Sequence, residues 1–392
     1  MKRSLYVIAT IIILLLIIQN VQAQEIERAR FQVEQRIENV KTQFSLTYNL
    51  ERKLVNQQYR LNEEHTFYIP DFHVKGIYVT GWAAGSRKMD DLIELVENTV
   101  VNSMVIDIKD QDGYLSYISN IPLASEIGAN KQKIRNIHAL IERLNSKGIY
   151  TIARIAVFKD QLLASSKEEY ALQLISRETG DTRLSTNWVD PSLKEVWDYN
   201  ILLARGAVNM GFDEIQFDYI RYPALGDGDI QSIVPDGNEK TIYINSFLEY
   251  ARKEMAELNI PISIDVYGLT TTVEGDLGIG QDFTQLSNVV NIISPMIYPS
   301  HYSTGMYGIA MPEAEPSKVI TRSLIDAQKK VAGNENVNIR PWLQDFSLRH
   351  RYTQKEVLEQ IRAVEELGIK EWLLWSPGSN YTEEALNKSH FK

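Results

Sequence analysis

From Val74 onward the chain alternates between two patterns of apolar positions. Short apolar, β-rich runs lie at Val74–Trp82, Ser103–Lys109, Tyr150–Phe158, Glu214–Tyr222, Pro261–Gly268, Val289–Pro299, Val337–Phe346 and Glu371–Pro377. Between most of them apolar residues recur every three or four positions, which predicts helices over Met89–Val100, Ile134–Ser146, Leu193–Met210, Ile242–Leu258, Ser317–Lys330 and Thr353–Leu367. Gly148, Gly211 and Gly368 stand just past the end of a helix, where a C′ glycine stops the helix before a short turn into a strand. Strands and helices alternating in this number over about 310 residues predict a (β/α)8 TIM barrel. The competing fold, an open doubly wound sheet, usually carries G-x-G-x-x-G after its first strand. Gly76 to Gly85 does not supply it, so the barrel is favoured.

Upstream of the barrel the pattern changes twice. Lys2 and Arg3 precede an apolar run from Leu5 to Ile18 and then Val21-Gln22-Ala23. This is the layout of a secretory signal cleaved after Ala23, with an uncleaved N-terminal anchor as the alternative. The run is shorter than the roughly 20 residues that a spanning helix needs. From Glu25 to about Glu64 the chain is densely charged, with Ile26, Phe31, Val33, Ile37, Val40 and Phe44 near helical spacing, which predicts an amphipathic helical spacer. The expected organisation is residues 1–23 as signal peptide or anchor, 24–65 as spacer and 66–392 as barrel.

Composition narrows the partners. A formal net charge of -10 without any basic run argues against nucleic-acid binding. The chain has no cysteine, so export would depend on a core without disulfides, as in a bacterial periplasmic, cell-envelope or secreted protein. Its 6 histidines are scattered, and no H-E-x-x-H, G-x-S-x-G or Walker loop occurs, so neither a metal nor a cofactor is expected. The acidic turn Asp227-Gly-Asp229 has too few spaced ligands for calcium.

In a parallel α/β barrel, chemistry sits at the carboxyl ends of the strands, and alternation along each strand decides what faces inward. The run from Gly211 to Pro223 ends its strand in Asp218, Tyr219, Arg221 and Tyr222, where a core would prefer apolar groups. Gln216 and Asp218 share one face, as do Ser263, Asp265 and Tyr267, and likewise Asp107 and Lys109. Strand six ends in Tyr298, Pro299, Ser300 and His301; strand seven carries Trp342 and Gln344 on one face with Asp345 just past them; strand eight ends in Trp375. Carboxylates brought together raise one another's proton affinity, which lets a neutral acid and an ionised base coexist. Trp and Tyr stack on sugar rings. The candidate catalytic residues are therefore Asp218, Asp265 and Asp345. The candidate substrate-binding residues are Asp107, Lys109, Arg154, Trp188, Arg221, Tyr267, Tyr298, His301, Trp342, Gln344 and Trp375. Arg221 is placed either to pair with Asp218 or to close a salt bridge at the rim, and His301 either to bond a substrate hydroxyl or to serve the structure. Asp190-Pro191 reads as a helix cap and first-turn proline.

The segments Val74–Trp82, Val105–Asp110, Thr151–Asp160, Gly211–Pro223, Ile293–Tyr302 and Ile339–Phe346 together resemble the putative glycosyl hydrolase domain family of bacteria, a distant relative of the alpha-amylase-like barrel hydrolases. The resemblance runs from about Val74 to Tyr381. It implies a strand-four Asp nucleophile at Asp218, a strand-five general acid at Asp265 and a transition-state-stabilising acid at Asp345. Two positions depart from the amylase pattern: Asp265 replaces a glutamate, and Gln216 replaces the arginine two residues before the nucleophile. A chitinase-like D-x-x-D-x-D-x-E run fails, because Ile220 stands where its catalytic Glu belongs.

The expected function is a glycoside hydrolase acting on an envelope or environmental polysaccharide, with membrane association, if any, through the N-terminal segment. The alternatives are a catalytically silent carbohydrate-binding protein using the aromatic rim, and a structural envelope protein. A separation of about 5 Å between the carboxyls of Asp218 and Asp265 would imply retention of configuration, and about 6.5–9.5 Å inversion.

Overall fold

Each of the apolar runs becomes a parallel strand, and the eighth closes on the first. The computed structural model describes residues 72–176, 179–224, 230–232 and 237–391. The expected signal segment, the spacer and the acidic turn at Asp227–Asp229 lie outside the described residues. The barrel strands are β1 Lys75–Val79, β2 Ser103–Lys109, β3 Tyr150–Ala156, β4 Glu214–Asp218, β5 Ile262–Tyr267, β6 Ile292–Met296, β7 in two segments Asn338–Ile339 and Trp342–Gln344, and β8 Trp372–Trp375. Neighbours pair in sequence order, β8 pairs with β1 through Lys75 and Trp372, and β5 pairs with β6 through Ser263 and Ile292, so the eight-stranded parallel barrel is closed. Pro341, which has no N–H to give to a ladder, stands at the break in β7.

The helices wrap the outside as the periodicity predicts, among them Lys88–Asn98, Ile137–Ser146, Lys194–Asn209, Pro316–Lys330 and Gln354–Glu366. Thr353 caps the last of these in a reciprocal capping box with Glu356, and Gly211 ends the helix before β4 at φ +95, a backbone setting that glycine adopts without cost. Between β5 and β6 there is no long helix, only the short Phe283–Ser287 and 3-10 turns. A feature absent from the periodicity follows β3: Ala171–Ser176 and Thr182–Val189 pair antiparallel as a hairpin. Among the described residues no helix is long and apolar enough to cross a membrane.

Alternation splits the core in two. Ile77, Met104, Ile106, Ile155, Phe217, Ile264 and Leu374 pack between strands and helices, while Val74, Tyr78, Val105, Ile152, Trp342 and Leu373 fill the lumen. The amino-terminal floor of the lumen is ionic. Arg340 Nη1 donates to both oxygens of Glu214, at 2.8 and 3.0 Å, and its Nε donates to Glu371 at 2.8 Å. Ser263 and Tyr150 also donate to Glu214. This plug closes the bottom and leaves the carboxyl end of the barrel as the open one.

Candidate active site

The guanidinium of Arg154, on β3, is the hub of the upper lumen. Its Nη1 donates to Asp107 Oδ1 on β2 at 2.5 Å, its Nε and Nη2 both donate to Asp218 Oδ2 on β4, and its Nε lies 3.8 Å from Asp265 Oδ2 on β5. Three carboxylates from β2, β4 and β5 thus share one cation. They are nearly sealed from solvent, with Asp107 5% exposed, Asp218 4% and Asp265 1%.

Each acid has its own surroundings. Asp107 also accepts from the Tyr78 hydroxyl at 2.5 Å, and burial raises its pKa despite the guanidinium. Asp218 accepts the N–H of Tyr219 on Oδ1 at 2.5 Å. Tyr219 itself stands at φ +52, an uncommon setting for a residue with a side chain, just past the end of β4. Asp265 accepts the indole N–H of Trp342 at 2.7 Å, and burial first, then the charge of Asp218, push its pKa well above the usual carboxylate range. The pair therefore contains one carboxylate fixed by a guanidinium and one that favours its proton.

Above the acids lies an aromatic collar. Trp375 stacks on Tyr78 with centroids 3.8 Å apart, and the Arg154 guanidinium lies 5.2 Å from the Trp375 ring. Tyr298 is buried beside Trp375, His301 and Phe346, and its hydroxyl has no partner among the described residues. Gln216, one turn of the pleat below Asp218, is fully buried, and among the described residues neither amide atom has a partner. At the rim stand Tyr267, 40% exposed, and Trp188 on the hairpin with Arg221 over its ring at 4.8 Å. His301 is also at the rim, its pKa pushed down by burial and then by Arg349.

Several candidates lie elsewhere than the sequence suggested. Lys109 does not enter the lumen. The β2–β3 register slips between Asp107 and Lys109, so Lys109 comes opposite Ile155 on the outer face. Its ammonium meets Asp160 at 2.7 Å, the Ala156 carbonyl at 2.8 Å and Asn200 at 3.0 Å. Arg221 does not pair with Asp218; Arg154 holds that place. Gln344 faces inward, but its amide is spent on the Ser300 N–H and the Phe346 carbonyl. Trp342, 1% exposed, serves Asp265 and offers no face to a sugar. Asp345 points out of the lumen and receives the backbone N–H of Thr382 at 2.8 Å and its hydroxyl at 2.7 Å. The third corner of the acid cluster is Asp107. Asp345→Ala should therefore lower stability by about 1–3 kcal/mol through loss of two bonds to a charged acceptor. Thermal denaturation should register the change more strongly than any glycan assay.

Two residues escaped the sequence reading. Tyr78 follows from strand parity with Gly76, but a buried tyrosine on β1 looks like ordinary core. Trp82, 66% exposed in the turn after β1, lies at the same end of the barrel as the acids and is too near its strand to be distinguished from it by pattern.

Among the described residues no group of three or more His, Asp or Glu is arranged to hold a metal ion, the three lumen acids being turned onto Arg154. No curated protein matches the chain. A hypothetical protein from Ruminiclostridium thermocellum is 40% identical over 48% of this chain and 97% of its own, with a TM-score of 0.42. The glycoside hydrolase domain of PgaB (BpsB) from Bordetella bronchiseptica superposes with a TM-score of 0.60 at 13% identity, covering 79% of this chain and 95% of that one. The C-terminal domain of a chitinase-like protein from Desulfitobacterium hafniense gives 0.52 at 13% identity, with 82% and 99% covered. These two share the barrel fold. The family model described as "Putative glycosyl hydrolase domain" matches residues 76–381, nearly the whole described barrel, and the chain belongs to that family.

Proposed function

We propose that the protein is an exported glycoside hydrolase that cleaves an envelope or environmental polysaccharide, with Asp218 as nucleophile and Asp265 as general acid. The observation that carries this reading is the unlike setting of two neighbouring acids: Asp218 accepts two bonds from Arg154, while burial and the charge of Asp218 favour the proton on Asp265. Asp218 Oδ2 takes both guanidinium bonds and Oδ1 takes a single N–H, so Oδ1 keeps a lone-pair site for attack. In the first step Oδ1 bonds to the anomeric carbon as the glycosidic C–O bond breaks, and the Asp265 proton goes to the leaving oxygen. In the second, Asp265 takes a proton from water, whose oxygen displaces Asp218.

Asp218 Oδ2 and Asp265 Oδ2 lie 3.1 and 3.8 Å from the same Nε, so they are no farther apart than those lengths end to end. For that oxygen pair the limit is compatible with the roughly 5–5.5 Å separation of retaining enzymes. Retention is expected: proton NMR of the first product released from a polysaccharide panel should show the anomer of the substrate. Release of the opposite anomer would remove Asp218 from the nucleophile's role.

A second reading, glycan binding without turnover, is favoured by the near-complete burial of Asp218 with both oxygens engaged. It predicts binding to members of the same panel with no new reducing ends.

A further inference from the structure

The wall of the mouth beside Asp218 carries two cations that form no ion pair among the described residues. Lys159 follows β3, and its ammonium lies 5.1 Å from the Tyr219 ring centroid. Arg221 follows β4, and its guanidinium lies 5.4 Å from the same ring and 4.8 Å from the Trp188 ring. Trp188 meets Tyr219 edge to face at 6.1 Å. Both cations are half-buried, yet among the described residues neither has a carboxylate within 4 Å. The other buried cations behave differently: Arg154 and Arg340 each serve at least two carboxylates, and Lys109 has Asp160. Arg221 makes one hydrogen bond, from Nη1 to the Tyr222 carbonyl at 3.0 Å. Its Nε and Nη2 donors take no partner among the described residues. Burial lowers its pKa, the cost expected of a guanidinium stripped of water, and the charge of nearby Asp218 offsets that cost only in part.

We infer that Trp188, Tyr219, Arg221 and Lys159 form a subsite for a sugar that bears a carboxylate, either a hexuronic acid or a sugar with a carboxyalkyl ether. Tyr219 directly follows Asp218, so a glycan whose anomeric carbon reaches Asp218 brings an adjoining ring against this wall. The planar fork of a guanidinium matches a carboxylate in two parallel bonds, and the lysine adds a point charge at the other side of Tyr219. Trp188 and the exposed Tyr267 supply ring faces. In a chain of formal net charge -10, a polyanion is not drawn in by the protein as a whole. Recognition must therefore come from this local pair. The inference rests on the glycoside-hydrolase reading and refines its substrate class.

The test uses the full-length Asp218→Asn protein, which cannot turn substrate over. Calorimetric titration would compare polygalacturonate, alginate and hyaluronan oligosaccharides and lactyl-ether glycan strands, each with its carboxyl-reduced twin, alongside neutral xylan and β-glucan oligomers. At least one acidic glycan is expected to bind ten- to a hundredfold more tightly than its reduced twin. That preference should fall to within twofold when Arg221→Gln and Lys159→Gln are added, and Arg221→Lys should restore part of it. Which acidic members respond separates the uronate source from the ether source. Equal binding of every pair of twins, or a preference that survives loss of both cations, overturns the subsite. Best binding by a neutral glycan also overturns it while leaving the hydrolase reading intact. Binding of no glycan at all sinks both. Should Arg221→Gln fail to fold, the twin comparison in the Asp218→Asn protein still decides.

Discussion

An Asp218→Asn protein should keep its fold and its glycan affinity while kcat falls on the order of 10³-fold or more. The amide preserves the shape of the carboxylate but loses the negative charge that Arg154 holds with two bonds. Asp265→Asn should lower kcat by roughly 10²–10⁴-fold, since it removes a single proton donor. The two variants should part company in their pH profiles. Asp265 acts while protonated, and its pKa is raised, so wild-type activity is present below that value and is lost as pH rises through it. The Asp265→Asn protein should lack that alkaline limb, and substrates with good leaving groups, which need little protonation, should recover much of its rate. Asp218→Asn should recover with neither. Reducing-end assays across pH on both proteins test this; an unchanged alkaline limb in Asp265→Asn would remove Asp265 from the acid's role.

The sequence showed the barrel because each strand is a compact apolar run and several are preceded by a helix ending in glycine. These signals are local, and they set element type without long-range information. The hairpin after β3 was not visible for a matching reason. Thr182–Val189 is mostly exposed and polar, so it has no apolar face to betray a strand. Its pairing is backbone to backbone. In the site, alternation correctly turned Asp107, Asp218 and Asp265 into the lumen, and strict parity from Trp342 and Gln344 already turned Asp345 out. What alternation could not supply was the register slip beyond Asp107, which sends Lys109 to the outer face. Nor could it turn Arg154, a substrate-binding candidate, into the hub that binds the acids. A lone arginine in an apolar strand becomes a hub only when three acids from other strands converge on it, and that convergence belongs to barrel closure.

The largest effect on stability should come from the opposite end of the lumen. Arg340→Met leaves Glu214 and Glu371 buried on the floor without their shared cation, a loss of about 3–5 kcal/mol and a melting temperature lower on the order of 10 °C. Burial already raises the pKa of Glu214 with Arg340 in place, and removing the guanidinium can only raise it further. A carboxyl whose folded-state pKa is raised contributes stability that is fully present below its unfolded value and is lost as pH rises through the folded one. The Arg340→Met deficit should therefore be small near pH 4 and grow toward neutrality, with the melting curves of variant and wild type diverging as pH rises. Combining Arg340→Met with Glu214→Gln and Glu371→Gln removes the stranded charges, and should recover much of the deficit at neutral pH while flattening its pH dependence. A pH-independent deficit, or a triple variant no better than the single one, would mean that Arg340 supports the floor by packing rather than by charge.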